Sequence, residues 1–311
     1  MPDIEVLTSA LTDLGESLLW DVDSERLWWE DMLGGLIFSA TADGRDIRVW
    51  KFPDIVTSLA LRSAGGAIVT SRSGIHLFDL DTGANELVHE VEPDGDAVFN
   101  FNDGAVDRQG RFVTACVDPA TSSPETFDLV GTRQPRGPIV RVDPDLTAHD
   151  LGQRIGLSNG PCFSPDGTTL YWGDSWARVI YAYDYDPSTG EASGARTHVR
   201  FHDDSPPGVA ALPDGSTVDA EGAIWVAACH GGEVRRYAPD GTLDRRLPMP
   251  VTNPTSVAFG GPDLDTLFVS SMGAAPMAAA STSTNYGPLA GTILAVHGTG
   301  ARGVPETRFA G

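Results

Sequence analysis

The sequence predicts an all-β fold, a six-bladed β-propeller with a metal site in its central tunnel. Two observations predict it: a strand and turn pattern that recurs six times, and an oxygen-bearing side chain at the same place in each copy. Short runs rich in Val, Ile, Trp, Phe and Tyr alternate with Gly, Asp and Pro turns, which is typical of β-structure. We therefore interpret residues 1–311 as one propeller domain with almost no helix.

The six copies start 41 to 57 residues apart. A four-stranded blade needs roughly 40–50 residues, so the period fits blades, although the period alone also allows a solenoid. We expect the stretch Ile4–Leu7 to pair with the last blade, because circular closure removes free sheet edges. The copies begin at six residues that we call the mouth residues: Glu16, Thr57, Asn102, Asn159, Asp214 and Thr255.

The composition limits the partners. A formal net charge of −22 and a pI of about 4.4 disfavour nucleic acid and anionic membranes. We expect a small-molecule substrate and a monomer or small homo-oligomer. The first residues lack the basic flank and apolar run of a signal peptide, so we expect a cytoplasmic protein. The three cysteines are far apart in the sequence and lie in apolar runs, which predicts buried thiols.

The mouth residues predict a metal centre. The first strand of each blade lines the tunnel, so the residue that begins it lies at the tunnel mouth. Glu16, Asn102, Asn159 and Asp214 carry hard oxygen donors, which suit one divalent ion. Ca²⁺ is favoured, with Mg²⁺, Mn²⁺ or Zn²⁺ as alternatives. The competing interpretation is that these residues only cap turns, but glutamate is a poor turn residue.

Loops between second and third strands open on the same face of the propeller. Among them, Asp118 and His230 are candidates for contact with a substrate, and Asp174 is a further candidate for handling protons. Two insertions, Val117–Pro138 and Gly273–Ala290, leave from second strands. Both should lie over the metal face and shape its entrance.

The sequence resembles the senescence marker protein / gluconolactonase / luciferin-regenerating-enzyme family. The resemblance rests on LGESLLWD, FNDGAVDRQGRF, LSNGPCFSPDGTTLYWGDS, LPDGSTVDAEGAIWVA, GGEVRRYAPDG and the terminal RFAG, which extend from residue 15 to 311. It implies a six-bladed propeller, a divalent metal and hydrolysis of sugar lactones. It also implies Glu16, Asn159 and Asp214 as metal ligands, Asn102 as a fourth polar residue facing the metal or substrate, and Asp214 as general base.

The sequence departs from the family at the substrate positions. Family members that act on sugar lactones often carry Arg two residues before the Asn of the NDG motif, where this chain has Asn100. An acidic residue of the third blade aligns on Ala120. We therefore assign substrate contacts to Asn100, Asn102, Asp118 and His230, and leave the kind of lactone open.

The predicted activity is that of a divalent-metal-dependent lactonase, a carboxylic ester hydrolase. The metal would polarise the lactone carbonyl, and Asp214 would accept a proton from the attacking water. A hydroxide held by the metal is the alternative nucleophile. Two other functions remain open: a phosphotriesterase-like hydrolase, and a non-catalytic binding propeller with a structural metal.

Overall fold

The computed structural model describes residues 2–8, 10–90, 100–117, 137–201, 203–205, 211–273 and 287–311. In this part of the chain there are six antiparallel sheets of four strands each, which we call blades. None of the described residues lies in an α-helix, so the described chain has no helix long and apolar enough to cross a membrane. The predicted six-bladed all-β fold is confirmed.

The first three blades follow one another along the chain. Blade 1 contains β2 (Gly15–Asp21), β3 (Arg26–Asp31), β4 (Leu36–Thr41) and β5 (Arg48–Lys51); blade 2 contains β6 (Ser58–Leu61), β7 (Ala67–Thr70), β8 (Ile75–Phe78) and β9 (Asn85–His89); blade 3 contains β10 (Asn100–Val106), β11 (Phe112–Val117), β12 (Gly137–Val142) and β13 (Ala148–Ile155).

The last three blades include the closing one, in which the first strand of the chain joins three strands from its end. Blade 4 contains β14 (Ser158–Phe163), β15 (Thr169–Asp174), β16 (Val179–Asp186) and β17 (Glu191–Arg200); blade 5 contains β18 (Leu212–Val218), β19 (Ile224–Cys229), β20 (Glu233–Tyr237) and β21 (Leu243–Pro248); blade 6 contains β22 (Pro254–Gly260), β23 (Thr266–Ser271), β24 (Ile293–His297) and β1 (Asp3–Thr8).

The blades close into a ring. The first strand of each blade contacts the first strand of the next, and β22 contacts β2, so these six strands line the central tunnel. The expected pairing of Ile4–Leu7 is confirmed: Ile4 lies opposite Val296 and Val6 opposite Leu294. Because β1 fills the outer position of blade 6, the chain ends are tied together by backbone hydrogen bonds.

The hydrophobic core is divided among the blade interfaces. In the described residues, six of the seven buried clusters lie one between each pair of neighbouring blades; between blades 1 and 2, for example, Trp28 and Ile37 pack against Leu59 and Phe78. Second strands are sandwiched by these clusters and are entirely buried in β3, β7, β11 and β19. All three cysteines are buried free thiols, as predicted.

The segment 298–311 crosses the far end of the tunnel, opposite the mouth residues. The Gly303 amide donates to Leu264 O at 2.8 Å, and the Phe309 amide donates to Leu61 O at 2.8 Å. Arg308 forms a bidentate ion pair with Asp21, in which Nε and one terminal guanidinium nitrogen donate to the two carboxylate oxygens at 2.9 and 2.7 Å. This segment therefore connects blades 5 and 6 with blades 1 and 2 a second time, independently of β1.

Phe309 anchors that connection, because its ring is fully buried in the cluster between blades 2 and 3. We expect Phe309→Ala to lower the free energy of unfolding by about 3–5 kcal/mol through lost burial and a residual cavity. Val49→Ala, at a residue that is 51% exposed on β5, is the control and should change it by less than about 1 kcal/mol. Urea unfolding followed by tryptophan fluorescence measures both, and equal effects would contradict the anchoring role.

Candidate metal centre

The mouth residues lie where the tunnel-lining strands are distorted. In five of the six blades, all but blade 2, the register between first and second strands shifts at the mouth position. A bulge of this kind turns consecutive side chains away from simple alternation. The residues just after three mouth residues have left-handed backbones, with φ of 51° at Ser17, 55° at Asp103 and 53° at Gly160.

A chain of hydrogen bonds fixes the two mouth asparagines. The Asn102 Nδ2 group donates to Ser158 O at 2.6 Å and to Asn159 Oδ1 at 3.0 Å. Asn159 Nδ2 in turn donates to Ser175 Oγ at 2.8 Å, and that hydroxyl donates to Pro213 O at 2.5 Å. Asn159 Oδ1 has a second lone pair available for a cation, and Asn102 Oδ1 is left to accept from a ligand.

The two mouth carboxylates are crowded by negative charge. Burial raises the pKa of Asp214 well above its usual value, and the nearby Asp103 carboxylate raises it further. Burial likewise raises the pKa of Glu16, with Asp214, Asp103 and Glu30 adding to the shift. Ionised carboxylates in such surroundings are stabilised by a cation, so the site favours uptake of a positive charge.

These residues fit a divalent metal. Glu16 and Asp214 supply two negative charges, and Asn159 supplies an amide oxygen held in place by Ser175. All three are hard oxygen donors of the kind that Ca²⁺ and Mg²⁺ bind. No group of three or more His, Cys, Asp or Glu side chains is arranged for metal binding in the described residues, so the predicted ligand set depends on the amide.

The two mouth threonines have a different role. The Thr57 hydroxyl pairs with the Thr70 hydroxyl at 2.8 Å, on the neighbouring strand of its own blade. The Thr255 hydroxyl donates to Gly15 O across the interface between blades 6 and 1. Both side chains are buried, and they hold strands together at the mouth. Of the six mouth residues, therefore, only Glu16, Asn102, Asn159 and Asp214 are left as candidates for contact with a metal or substrate.

The second-strand loops include residues with structural partners. Asp174 accepts backbone N–H groups from Gly156, Leu157 and Ala177, which fixes the turn before β14. The Nδ1 atom of His230 lies 3.0 Å from Asn253 Oδ1, and burial lowers its pKa. These contacts give Asp174 a structural role in place of the proton handling considered for it, whereas the substrate contact assigned to His230 stays a prediction.

The remaining predicted substrate residues flank the mouth or lie beyond the described chain. Asn100 begins β10, opposite Val117 at the end of β11, and is half-buried. Asp118 and Ala120 lie outside the described residues, as do most of the two insertions. The insertions attach after β11 and β23, whose last residues pair with Asn100 and Pro254 at the mouth end of the first strands; their expected position over the metal face stays a prediction.

No role was assigned from the sequence to two carboxylates in the tunnel, Asp103 and Glu30. Asp103 follows the mouth residue Asn102, and it accepts N–H groups from Gly160 at 2.6 Å and Gly104 at 2.7 Å. Burial raises its pKa to about 6. Glu30, on β3 opposite Glu16, is fully buried, and its pKa is raised well above the usual value. Two features of the sequence could have indicated these carboxylates. Asp103 is the acidic residue of the NDG motif, and Glu30 is one of the two acidic residues that end the run WWED.

A cavity of about 80 Å³ lies below the mouth. Ser17, Asp103 and Gly160 border its upper end, and Arg108 and Arg308 border its lower end. This volume has room for about five water molecules, at roughly 15 Å³ of probe-occupied space for each. The tunnel therefore has room for water below the mouth residues, and the segment 298–311 lies across its far end.

The raised pKa values predict that the metal-free protein loses stability as the pH rises. A carboxyl group whose pKa is higher in the folded than in the unfolded chain contributes stability below the unfolded pKa and loses it through the folded pKa. For Asp103 the pH range over which this stability is lost extends from about pH 4 to about pH 6. For Glu16 and Asp214, whose pKa values are raised well above the usual ones, the loss extends to higher pH.

Thermal unfolding at pH 5 and pH 8 tests this, with EDTA and with Ca²⁺. We expect the rise in Tm on adding Ca²⁺ to be larger at pH 8, where the carboxylates are ionised and need the cation. A rise of the same size at both pH values would contradict it.

Comparison with known proteins gives a consistent result. Residues 14–273 match the family described as SMP-30/Gluconolactonase/LRE-like region. The 6-deoxy-6-sulfogluconolactonase of Pseudomonas putida is 33% identical over 305 residues, which cover 96% of this chain and 95% of that protein.

Two solved structures share the fold. A luciferin-regenerating enzyme superposes with a TM-score of 0.87 at 24% identity, covering 100% of both chains. A regucalcin from Agrobacterium tumefaciens, described as a calcium-binding protein, superposes with a TM-score of 0.81 at 28% identity, covering 98% of this chain and 96% of that one. With the family match spanning most of the sequence, this chain belongs to the SMP-30/gluconolactonase/LRE-like family.

Proposed function

We propose that this protein is a divalent-metal-dependent lactonase that opens a sugar lactone or a related lactone. The observation that carries the proposal is the pair of crowded carboxylates, Glu16 and Asp214, beside an amide oxygen of Asn159 at the mouth of a closed tunnel. The resemblance to the sulfogluconolactonase of Pseudomonas putida supports the reaction class.

Glu16, Asn159 and Asp214 would hold the metal. A bound divalent ion supplies Lewis acidity, which polarises the lactone carbonyl and stabilises negative charge on its oxygen. We favour Ca²⁺ because the donors are all oxygen atoms and because the similar regucalcin is described as calcium-binding. Mg²⁺, Mn²⁺ and Zn²⁺ remain alternatives.

Asp214 is the proposed general base. Its surroundings favour the protonated form, so it gains stability when it takes a proton from the attacking water. The neighbouring Cys229 thiol donates a hydrogen bond to the carboxylate and opposes part of that shift. Leu14, Leu212 and Met272 pack with Cys229 in one buried cluster, so the thiol has an apolar setting.

Asn102 is the proposed positioning group for substrate or water. Both of its amide N–H groups point to protein oxygens, on Ser158 and Asn159, which fixes the orientation of the side chain. The Oδ1 atom is therefore the one presented to a ligand, as an acceptor for a hydroxyl group. We assign the remaining substrate contacts to Asn100, Asp118 and His230.

Metal removal and restoration test the function directly. We expect the EDTA-treated protein to lose lactone hydrolysis and to recover it with Ca²⁺ or one of the alternative ions. The assay uses panels of aldonolactones, alkyl lactones and phosphotriesters at one pH. Turnover of phosphotriesters alone would favour the phosphotriesterase alternative, and a folded, metal-loaded protein without turnover would favour a binding propeller.

Replacing Asp214 tests the mechanism. We expect Asp214→Asn to keep the fold, to weaken metal affinity because one anion is lost, and to lower kcat at least about 10²-fold. Glu16→Gln should weaken metal binding similarly, and Asn102→Ala should lower turnover more than metal affinity. Asp81→Asn, in an exposed turn, is the matched control. An Asp214→Asn protein with full metal occupancy and near wild-type turnover would refute this role.

A further inference from the structure

The loop that follows the second strand closes in the same way in blades 1 and 4. In blade 1 the Gly35 amide donates to Met32 O at 3.2 Å, and in blade 4 the Arg178 amide donates to Ser175 O at 3.3 Å. Gly35 and Arg178 both have left-handed backbones, with φ of 55° and 53°. The two loops therefore share one backbone motif, in which Arg178 occupies the place of a glycine.

Blade 5 has the same motif with Gly232, whose φ is 64°. In each of these three blades the carbonyl of the left-handed residue accepts, at 2.9 Å, the amide of the residue just after the fourth strand: Phe52, Phe201 or Met249. A left-handed backbone favours glycine, because a Cβ atom comes too close to the following carbonyl oxygen. Arg178 thus keeps a long side chain where the motif favours none, and exceptions of this kind concentrate at functional sites.

The guanidinium group of Arg178 has no structural partner that explains this exception. Across the described residues it makes no hydrogen bond and no ion pair, and its Nε atom is buried. The side chain as a whole is partly buried. A desolvated cation without an acceptor is unfavourable, so a negatively charged ligand would stabilise it.

Arg178 belongs to a loop that contacts the proposed metal centre. The loop begins at Ser175, whose hydroxyl accepts from Asn159 Nδ2 at 2.8 Å and donates to Pro213 O at 2.5 Å. Burial lowers the pKa of His230, in the neighbouring loop of blade 5, and the positive charge of Arg178 lowers it further. The guanidinium group therefore lies on the mouth face between blades 4 and 5, near a residue assigned to substrate contact.

We propose that Arg178 binds an anionic substituent of the lactone substrate, a carboxylate or a phosphate group. This inference deepens the proposed function and rests on it for the ring that is opened. The planar guanidinium group can donate two parallel hydrogen bonds to the oxygens of such a substituent. A local cation is needed because the net charge of −22 would otherwise repel an anionic substrate.

A matched pair of substrates tests the assignment. An aldonolactone and the aldarolactone of the same carbon number differ in a terminal hydroxymethyl or carboxylate group. We expect Arg178→Gln to raise the KM of the aldarolactone, relative to that of the aldonolactone, by about 10- to 100-fold, as for the loss of a charge-assisted pair. Arg302→Gln, at an exposed arginine of the segment 298–311, makes the same charge change and should keep the wild-type ratio. An unchanged ratio in Arg178→Gln overturns the proposal.

Arg178→Gly separates anion binding from a structural role. This variant should lose the preference for the aldarolactone, yet unfold at a Tm no lower than that of the wild type, because glycine adopts a φ of 53° without strain. Thermal unfolding of the metal-loaded protein measures the Tm. A Tm several degrees lower, with the preference retained, would make Arg178 a structural residue and overturn the proposal.

Calorimetric titration of the Ca²⁺-loaded protein with open-chain acids identifies the carboxylate that Arg178 binds. An aldonate carries only the carboxylate that ring opening forms, whereas an aldarate carries the substituent carboxylate as well. We expect Arg178→Gln to weaken the binding of the aldarate alone; equal weakening of both would assign Arg178 to the product carboxylate and overturn the proposal. Aldarate binding that depends on Arg178, without lactone turnover, would refute the proposed function alone. Lactone turnover with aldarate binding independent of Arg178 would refute this inference alone.

Discussion

The closure of the ring is the constraint on which the rest of the structure depends. Each blade buries its apolar faces only against its two neighbours, so one open interface would expose a whole cluster such as that between blades 6 and 1. The pairing of β1 with β24 closes the ring at the outer edge of blade 6. The segment 298–311 joins the blades a second time, across the far end of the tunnel. The first closure uses backbone hydrogen bonds between strands, and the second also uses the Arg308–Asp21 ion pair and the buried ring of Phe309, so together they hold the tunnel in a rigid frame.

That frame makes it possible to bury negative charge. Carboxylates from blades 1, 3 and 5 lie at the tunnel mouth, where burial raises the pKa values of all three and neighbouring carboxylates raise those of Glu16 and Asp214 further. Relaxation away from one another would require the blades to separate, which the interface clusters oppose. A bound cation would relieve this repulsion, so the metal binding proposed above and the stability of the fold would depend on the same side chains.

The sequence predicted the ring better than it predicted the inside of the tunnel. The mouth residues were found because one position per blade recurs in register, and Glu16, Asn102, Asn159 and Asp214 lie at the mouth. Asp103 was not predicted. A bulge after Asn102 turns the side chain of Asp103 toward the tunnel as well, and strict alternation along a strand does not predict bulges.

Other features depended on contacts between blades. Glu30 lies on a second strand, where periodicity predicts core, and only its placement opposite Glu16 brings it to the tunnel. Thr57 and Thr255 share the repeat position, yet their hydroxyls bond to Thr70 and Gly15. One residue per repeat therefore identifies where a site lies, whereas the ligand set depends on bulges and on packing that no single repeat encodes.

The geometry also separates the metal chemistry from the choice of substrate. The far end of the tunnel is bordered by Arg108, Glu306 and Arg308, so a lactone would reach the metal from the mouth face. On that face the first strands contribute Asn102 and Asn159, which are joined by a hydrogen bond. Asn100, where this chain departs from the family pattern, lies at the same face at the start of β10. A substitution at Asn100 would change which lactone the proposed enzyme binds and leave Glu16 and Asp214, the proposed metal ligands, unchanged, because these residues lie in different blades.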